Sequence, residues 1–277
     1  MVIDFHTHSF PDELADRAVG RLAQSGGIHN YLDGRVTSIQ KSMKKAGIDY
    51  SILLPIATKP SQHTTINDIA VTTNDTFRES GLISFGTIHP DNEDYRDILR
   101  NLSKKGVPGI KLHPVFQRTN IDDPRYLNII SCAFDNDLIV SIHCGIDISF
   151  PNCDEASVER IANMIKEVPP RKLVLAHMGG WGMYNEVCDK LIGTPGVWLD
   201  TAFVLRNSPD FYFLSKEKFV DMVRTHGTDH ILFGTDSPWS DQSEALKLIR
   251  ESGLNNDEIR MILGDNAARL LDTFFLR

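Results

Sequence analysis

The chain has 277 residues, 41% of them hydrophobic and 24% charged, with a formal net charge of −8 and a sequence pI near 5.7. That is ordinary globular composition, and the acidic excess without a Lys/Arg cluster argues against a nucleic-acid surface. No apolar run approaches the roughly 18 residues of a membrane span.

The chain opens directly on an apolar strand, without a basic and apolar leader. Its four cysteines, Cys132, Cys144, Cys153 and Cys188, form no Cys-x-x-Cys pair. Free thiols in a reducing, cytoplasmic setting are therefore expected. Cys132 and Cys188 lie in helical patterns and read as core, whereas Cys144 follows a strand-end histidine and would line a site.

Short, nearly continuous apolar runs recur at 2–5, 50–55, 82–88, 109–113, 138–143, 173–177, 197–201 and 230–236. Runs of this kind suit strands buried on both faces. Helical spacing fills the intervals at 36–46, 66–80, 95–104, 126–136, 157–167 and 216–225. Asp154 is a candidate N-cap, and Gly47, Gly81 and Gly106 stand where C-terminal glycines belong. Beyond Ser240, two or three further helices follow. Eight strands alternating with helices predict an α/β fold, a (β/α)8 barrel with extra C-terminal helices, in one domain spanning 1–277. A doubly wound open sheet is the alternative, weakened by the lack of a Gly-rich phosphate loop after the first strand.

In a parallel barrel, active sites form at the C-terminal ends of the strands. His6 and His8 end the first strand and, two residues apart, share a face. His89 ends the third strand, Lys111 and His113 the fourth, His143 the fifth, His177 the sixth and Asp236 the eighth. His230 lies at the opposite end and reads as structural. Six histidines on one rim point to a metal centre, because neutral imidazole is the commonest metal ligand. The bland alternatives are a turn-forming Asp236 and a loop His177. Trp181 and Trp239 are either pocket walls or aromatic core. His89 and His113 are candidates for supporting groups or substrate contacts, and Arg118 and Arg206 for a carboxylate clamp.

This ordered set of strand ends resembles the amidohydrolase superfamily. The phrases Gly109-Ile110-Lys111-Leu112-His113-Pro114, His177-Met178-Gly179-Gly180, Phe233-Gly234-Thr235-Asp236-Ser237-Pro238 and Gly264-Asp265-Asn266-Ala267-Ala268-Arg269-Leu270 resemble its amidohydrolase-related branch, which contains the aminocarboxymuconate semialdehyde decarboxylase family. The resemblance implies a divalent metal bound by His6, His8, His143 and Asp236. It implies His177 as catalytic base or as the group orienting a bound water, with Asp236 as proton acceptor. Zn²⁺ is the favoured ion, one per chain, although a carbamylated Lys111 would bridge two. Otherwise Lys111 is a cation for an anionic substrate. The expected activity is hydrolysis of an amide, ester or lactone of a small anionic molecule. The alternative is nonoxidative decarboxylation of a small unsaturated or aromatic acid, with Arg118 or Arg206 reaching the metal. A non-catalytic metal-binding protein is disfavoured by the intact His177 and Asp236. The resemblance also makes a homodimer plausible.

Overall fold

The apolar runs pair as parallel strands. The computed structural model describes residues 1–206 and 212–275. In it β1 (Ile3–Thr7), β2 (Tyr50–Leu53) and β3 (Leu82–Ser84) form one parallel sheet. A second parallel sheet contains, in order, β4 (Gly86–Thr87), β5 (Gly109–Leu112), β6 (Ile139–Ile142), β7 (Leu173–Leu175), β8 (Val197–Asp200) and β9 (Ile231–Leu232). β3 and β4 are two halves of the expected third strand, interrupted at Phe85, whose N–H still donates to Leu53 O at 3.0 Å. At the other edge Phe5 N–H donates to Phe233 O at 2.7 Å and Asp236 N–H to His6 O at 2.8 Å, joining the last strand to the first. The architecture is the expected (β/α)8 barrel with additional C-terminal helices.

Side-chain alternation divides the apolar residues into two layers. Thr87, Lys111, Ser141, Val174 and Trp198 stand in register across β4 to β8, so they share one face. Val174 and Trp198 pack with Ile3, Phe5, Ile83 and Phe85 in the barrel interior, while Ile110, Val140 and Leu173 belong to the cluster shared with the surrounding helices. The tail contributes Leu270, Leu271 and Phe274 to the interior cluster, which closes one end of the barrel. The polar strand ends occupy the other.

Helix boundaries follow local chemistry. Gly47 and Gly81 adopt left-handed φ of 74° and 71° at helix C-termini, as expected of residues without a Cβ. Ser157, not Asp154, caps the helix Val158–Glu167; Asp154 instead pairs with Arg160 at 3.0 Å. The helices Asp12–Gly26 and Tyr184–Lys190 were not expected; the first buries only Ala15 and Val19. Among the described residues no helix is long and apolar enough to cross a membrane.

Candidate metal centre and substrate pocket

The first strand is bent to present its histidines. Pairing between β1 and β2 shifts register between Asp4 and Thr7, a bulge that adds one residue to β1. Phe5 stays in the interior cluster and His6 also turns to the mouth, where Lys111 Nζ lies 3.5 Å from its Nε2. Asp4 faces the helix layer and accepts hydrogen bonds from Thr235 Oγ1 at 2.7 Å and Gln242 Nε2 at 2.8 Å.

Three donor atoms converge at the mouth. His6 Nε2 is 3.2 Å from His8 Nε2, His8 Nε2 is 3.1 Å from Asp236 Oδ1, and His6 Nε2 is 3.5 Å from Asp236 Oδ1. The opposite nitrogens fix the tautomers. His8 Nδ1 meets the carbonyl of Leu54 at 3.0 Å and His6 Nδ1 the carboxylate of Asp200 at 2.8 Å, so both must donate there. In the neutral rings each Nε2 is then a bare lone pair. Two imidazole lone pairs and a carboxylate oxygen facing one another repel unless a cation lies between them. Their spacing matches that of ligands around one tetrahedral ion, about 3.3–3.6 Å apart for bonds of roughly 2.0–2.2 Å. The residues fit a divalent metal.

His177 and His143 flank this trio. The His177 ring lies 5.2 Å from His6 and 4.9 Å from His143, centroid to centroid. Its Nδ1 donates to Ala202 O at 2.8 Å, leaving Nε2 facing His143 Nδ1 at 3.1 Å. His143 Nε2 is buried with no hydrogen-bond partner, a donor or acceptor in need of one. His113, His143 and Asp147 also approach one another closely enough to suggest a second metal group. The ring geometry argues against it: His113 and His143 are stacked 4.1 Å apart at 8°. Imidazole lone pairs lie in the ring plane, so two parallel stacked rings cannot both point at one ion.

Charge is held in place by burial and pairing. Burial alone would raise the Asp236 carboxyl, but a hydrogen bond from His8, made only when its Nε2 carries a proton in place of a metal, and the charges of the neighbouring imidazoles outweigh it and keep it below the usual carboxylate range. Asp200, opposed by the same burial but bonded to His6, sits at about 2. Burial and the Lys111 charge push His6 down to about 4, which keeps its ring neutral. Burial also lowers Lys111, against the charges of Asp200 and Asp236. Outside glycine, positive φ is rare, yet His177 (57°), Met178 (53°) and Asp236 (64°) all adopt it here. Such backbone is costly and collects at functional sites.

The centre opens into a pocket of about 480 Å³ lined by His6, His8, Lys111, His113, His143, His177, Asp236, Trp181 and Trp239. Both tryptophans are therefore pocket walls. The two arginines are not: Arg118 is exposed, and Arg206 lies over the rings of Phe203 and Phe213 beside a separate, smaller cleft. Cys144 is also absent from the lining; its thiol is buried and donates to Ile142 O at 3.2 Å. His89 is turned into its own loop, where Nδ1 accepts from Asp91 N–H at 3.2 Å. His230 packs on Trp198, away from the mouth, as expected.

The sequence matches the amidohydrolase family over residues 3–273. The chain belongs to the amidohydrolase family. This is an enzyme family that is generally metal-dependent. No curated protein matches the sequence. Solved structures share the fold at low identity. An uncharacterized TIM-barrel protein from Bordetella bronchiseptica superposes with a TM-score of 0.75 at 17% identity, covering 99% of each chain. The 5-carboxyvanillate decarboxylase of Sphingomonas paucimobilis gives 0.69 at 14% identity over 98% of this chain and 99% of its own. A Pseudomonas putida protein described as a 2-pyrone-4,6-dicarboxylic acid hydrolase gives 0.69 at 16% identity over 100% of this chain and 98% of its own. Hydrolases and decarboxylases thus stand side by side among the fold's relatives.

For this amidohydrolase, sequence reasoning missed the residues that hold the histidines. Asp200 ends β8 and ties together His6 Nδ1, His177 N–H (2.9 Å) and Ala202 N–H (3.1 Å). The signal was available, since Asp200 ends an apolar strand just as Asp236 follows one. Gln117 was invisible: its Nε2 donates to Ala57 O and Ile88 O, and its Oε1 accepts from His113 N–H and Tyr126 OH.

Proposed function

We propose that this amidohydrolase is a metal-dependent hydrolase that adds water to an amide, ester or lactone carbon. One divalent ion, Zn²⁺ being favoured, is held by His6, His8 and Asp236, with His143 as the further donor. The observation that carries this reading is the convergence of three lone pairs within 3.1–3.5 Å. When bound, such an ion brings the pKa of its water to about 7 and polarises a carbonyl. The chain's own groups do the rest. Asp236, kept as a carboxylate, takes the proton that water loses as it adds. His177 has one exchangeable position, Nε2, because Nδ1 is tied to Ala202 O; the proton taken by Asp236 would be handed on through that nitrogen to the leaving group. Lys111 Nζ supplies positive charge beside the centre for the oxygen that becomes negative.

The second reading is decarboxylation of a small acid, favoured by the same Lys111, whose buried cation would meet a carboxylate. The expected clamp of Arg118 or Arg206 lies outside the pocket, which weakens it. The discriminating experiment incubates the zinc-loaded protein with esters, lactones and amides in parallel with planar hydroxy-aromatic acids. Acid release is followed by pH-stat and CO₂ in the headspace. Acid release without CO₂ is the expected result. CO₂ from the acids with no hydrolysis would replace the hydrolase with a carboxy-lyase.

A further inference from the structure

The walls of the pocket restrict what can reach its floor. Among the described residues that line it, the only Lys or Arg is Lys111, and it sits at the metal end. Among the described residues the lining carboxylates are three, Asp12, Asp147 and Asp236. Away from the centre the wall is mainly apolar, built by Leu22, Ile28, Val36, Ile66, Ile69 and Phe116, with the neutral hydroxyls of Ser9, Thr58, Thr73 and Ser149 among them. Ile69 is 50% exposed, and Phe150, 45% exposed, sets its ring against Phe116 at 6.1 Å. Apolar surface thus continues outward from the pocket, as it does around sites that take apolar ligands. A volume of about 480 Å³ accommodates a body much larger than a reacting carbonyl. A second carboxylate on that body would lose its hydration against these walls with no cation to replace it. It would also meet Asp12 or Asp147.

We infer that the substrate carries a single polar reacting group on an uncharged apolar or aromatic body that fills this pocket, and is not a di- or tricarboxylate. This rests on the reading that His6, His8 and Asp236 hold the reacting group, and it adds the specificity that those residues do not set. It also revises the expectation of an anionic substrate clamped by arginine.

The test is binding, not turnover. Two series of hydroxamic acids, phenylalkyl and ω-carboxyalkyl, each with one to five methylenes, are titrated calorimetrically into zinc-loaded and chelator-treated protein. Affinity in the phenylalkyl series rises roughly fourfold per methylene until the pocket is full. The ω-carboxy partners of equal length bind at least tenfold more weakly. The metal-dependent difference, common to all members, reads the metal centre; the dependence on chain length reads the pocket, so the two fail separately. Ile69→Arg, a half-exposed wall position outside the metal centre, tightens the ω-carboxy series about tenfold and spares the shortest members. A flat length dependence, tighter binding of the ω-carboxy series, or no binding in either series overturns the inference.

Discussion

Asp200 shows how much of this centre depends on a side chain that touches no substrate. One oxygen accepts the His6 Nδ1–H at 2.8 Å and the other receives the backbone N–H of His177 and of Ala202. It thereby fixes the His6 tautomer, the turn that carries His177, and the carbonyl that holds His177 Nδ1. Asp200→Asn keeps the shape but loses the charge and offers a competing N–H. Metal affinity is expected to fall about 10–100-fold with an unchanged circular dichroism spectrum, measured by competition with a chromogenic chelator. Unaltered affinity would show that Asp200 is merely packed. At this scale the grouping was legible, because residues at the C-terminal ends of parallel strands share one rim: His6, His8, His113, His143, His177 and Asp236 all line one pocket. The arginines were not readable. Arg118 caps the short helix Pro114–Gln117 in a left-handed conformation, φ 51°, and ends exposed, a direction set by backbone that the sequence does not display.

At the level of elements, the loops are fastened to one another more than to the strands. Gly145, after β6, donates to Ala156 O at 2.8 Å, while the next residue, Ile146, takes Trp181 O and Trp181 takes Cys144 O, each at 3.0 Å. The contact demands glycine twice over. Its φ is 86°, and a Cβ would lie 2.3 Å from Trp181 N and 2.5 Å from Gly180 C. Gly145→Ala should destabilise the protein by about 3 kcal/mol in urea denaturation and loosen the pocket wall at Trp181. A loss below about 0.5 kcal/mol would mean that the two loops can part freely. Element order was legible because every strand is buried on both faces and reads as an apolar run. Segments of the pocket wall were less legible: the helix Asp12–Gly26 supplies Asp12 and Leu22 to the pocket but buries only Ala15 and Val19. The short helix Pro114–Gln117 holds together through Gln117 rather than through pattern.

Across the whole molecule, a ring of parallel strands is plugged by the tail at one end and left polar at the other, and the buried histidines make its stability sensitive to acid. His226 illustrates this away from the metal centre. Burial lowers it from its ordinary 6.5, against a hydrogen bond of Nε2 with Val197 O, and Gly193 N–H occupies Nδ1. Above pH 6.5 both folded and unfolded chains hold it neutral; below that, the unfolded chain binds a proton that the folded one resists. Stability should therefore fall with pH below this value, by at most about 1.4 kcal/mol per unit for one such group. Urea midpoints of metal-free protein at pH 7.5 and 5.5 should differ less for His226→Gln than for the wild type; equal differences would contradict the assignment. The central claim is that the mouth of this barrel exists to hold a cation. It is tested most directly by elemental analysis of protein purified without chelator, beside Asp236→Ala. One divalent metal per chain, lost in the variant, is the predicted result. A wild-type protein that binds no metal even when supplied with zinc, or a variant that retains it in full, would contradict the account.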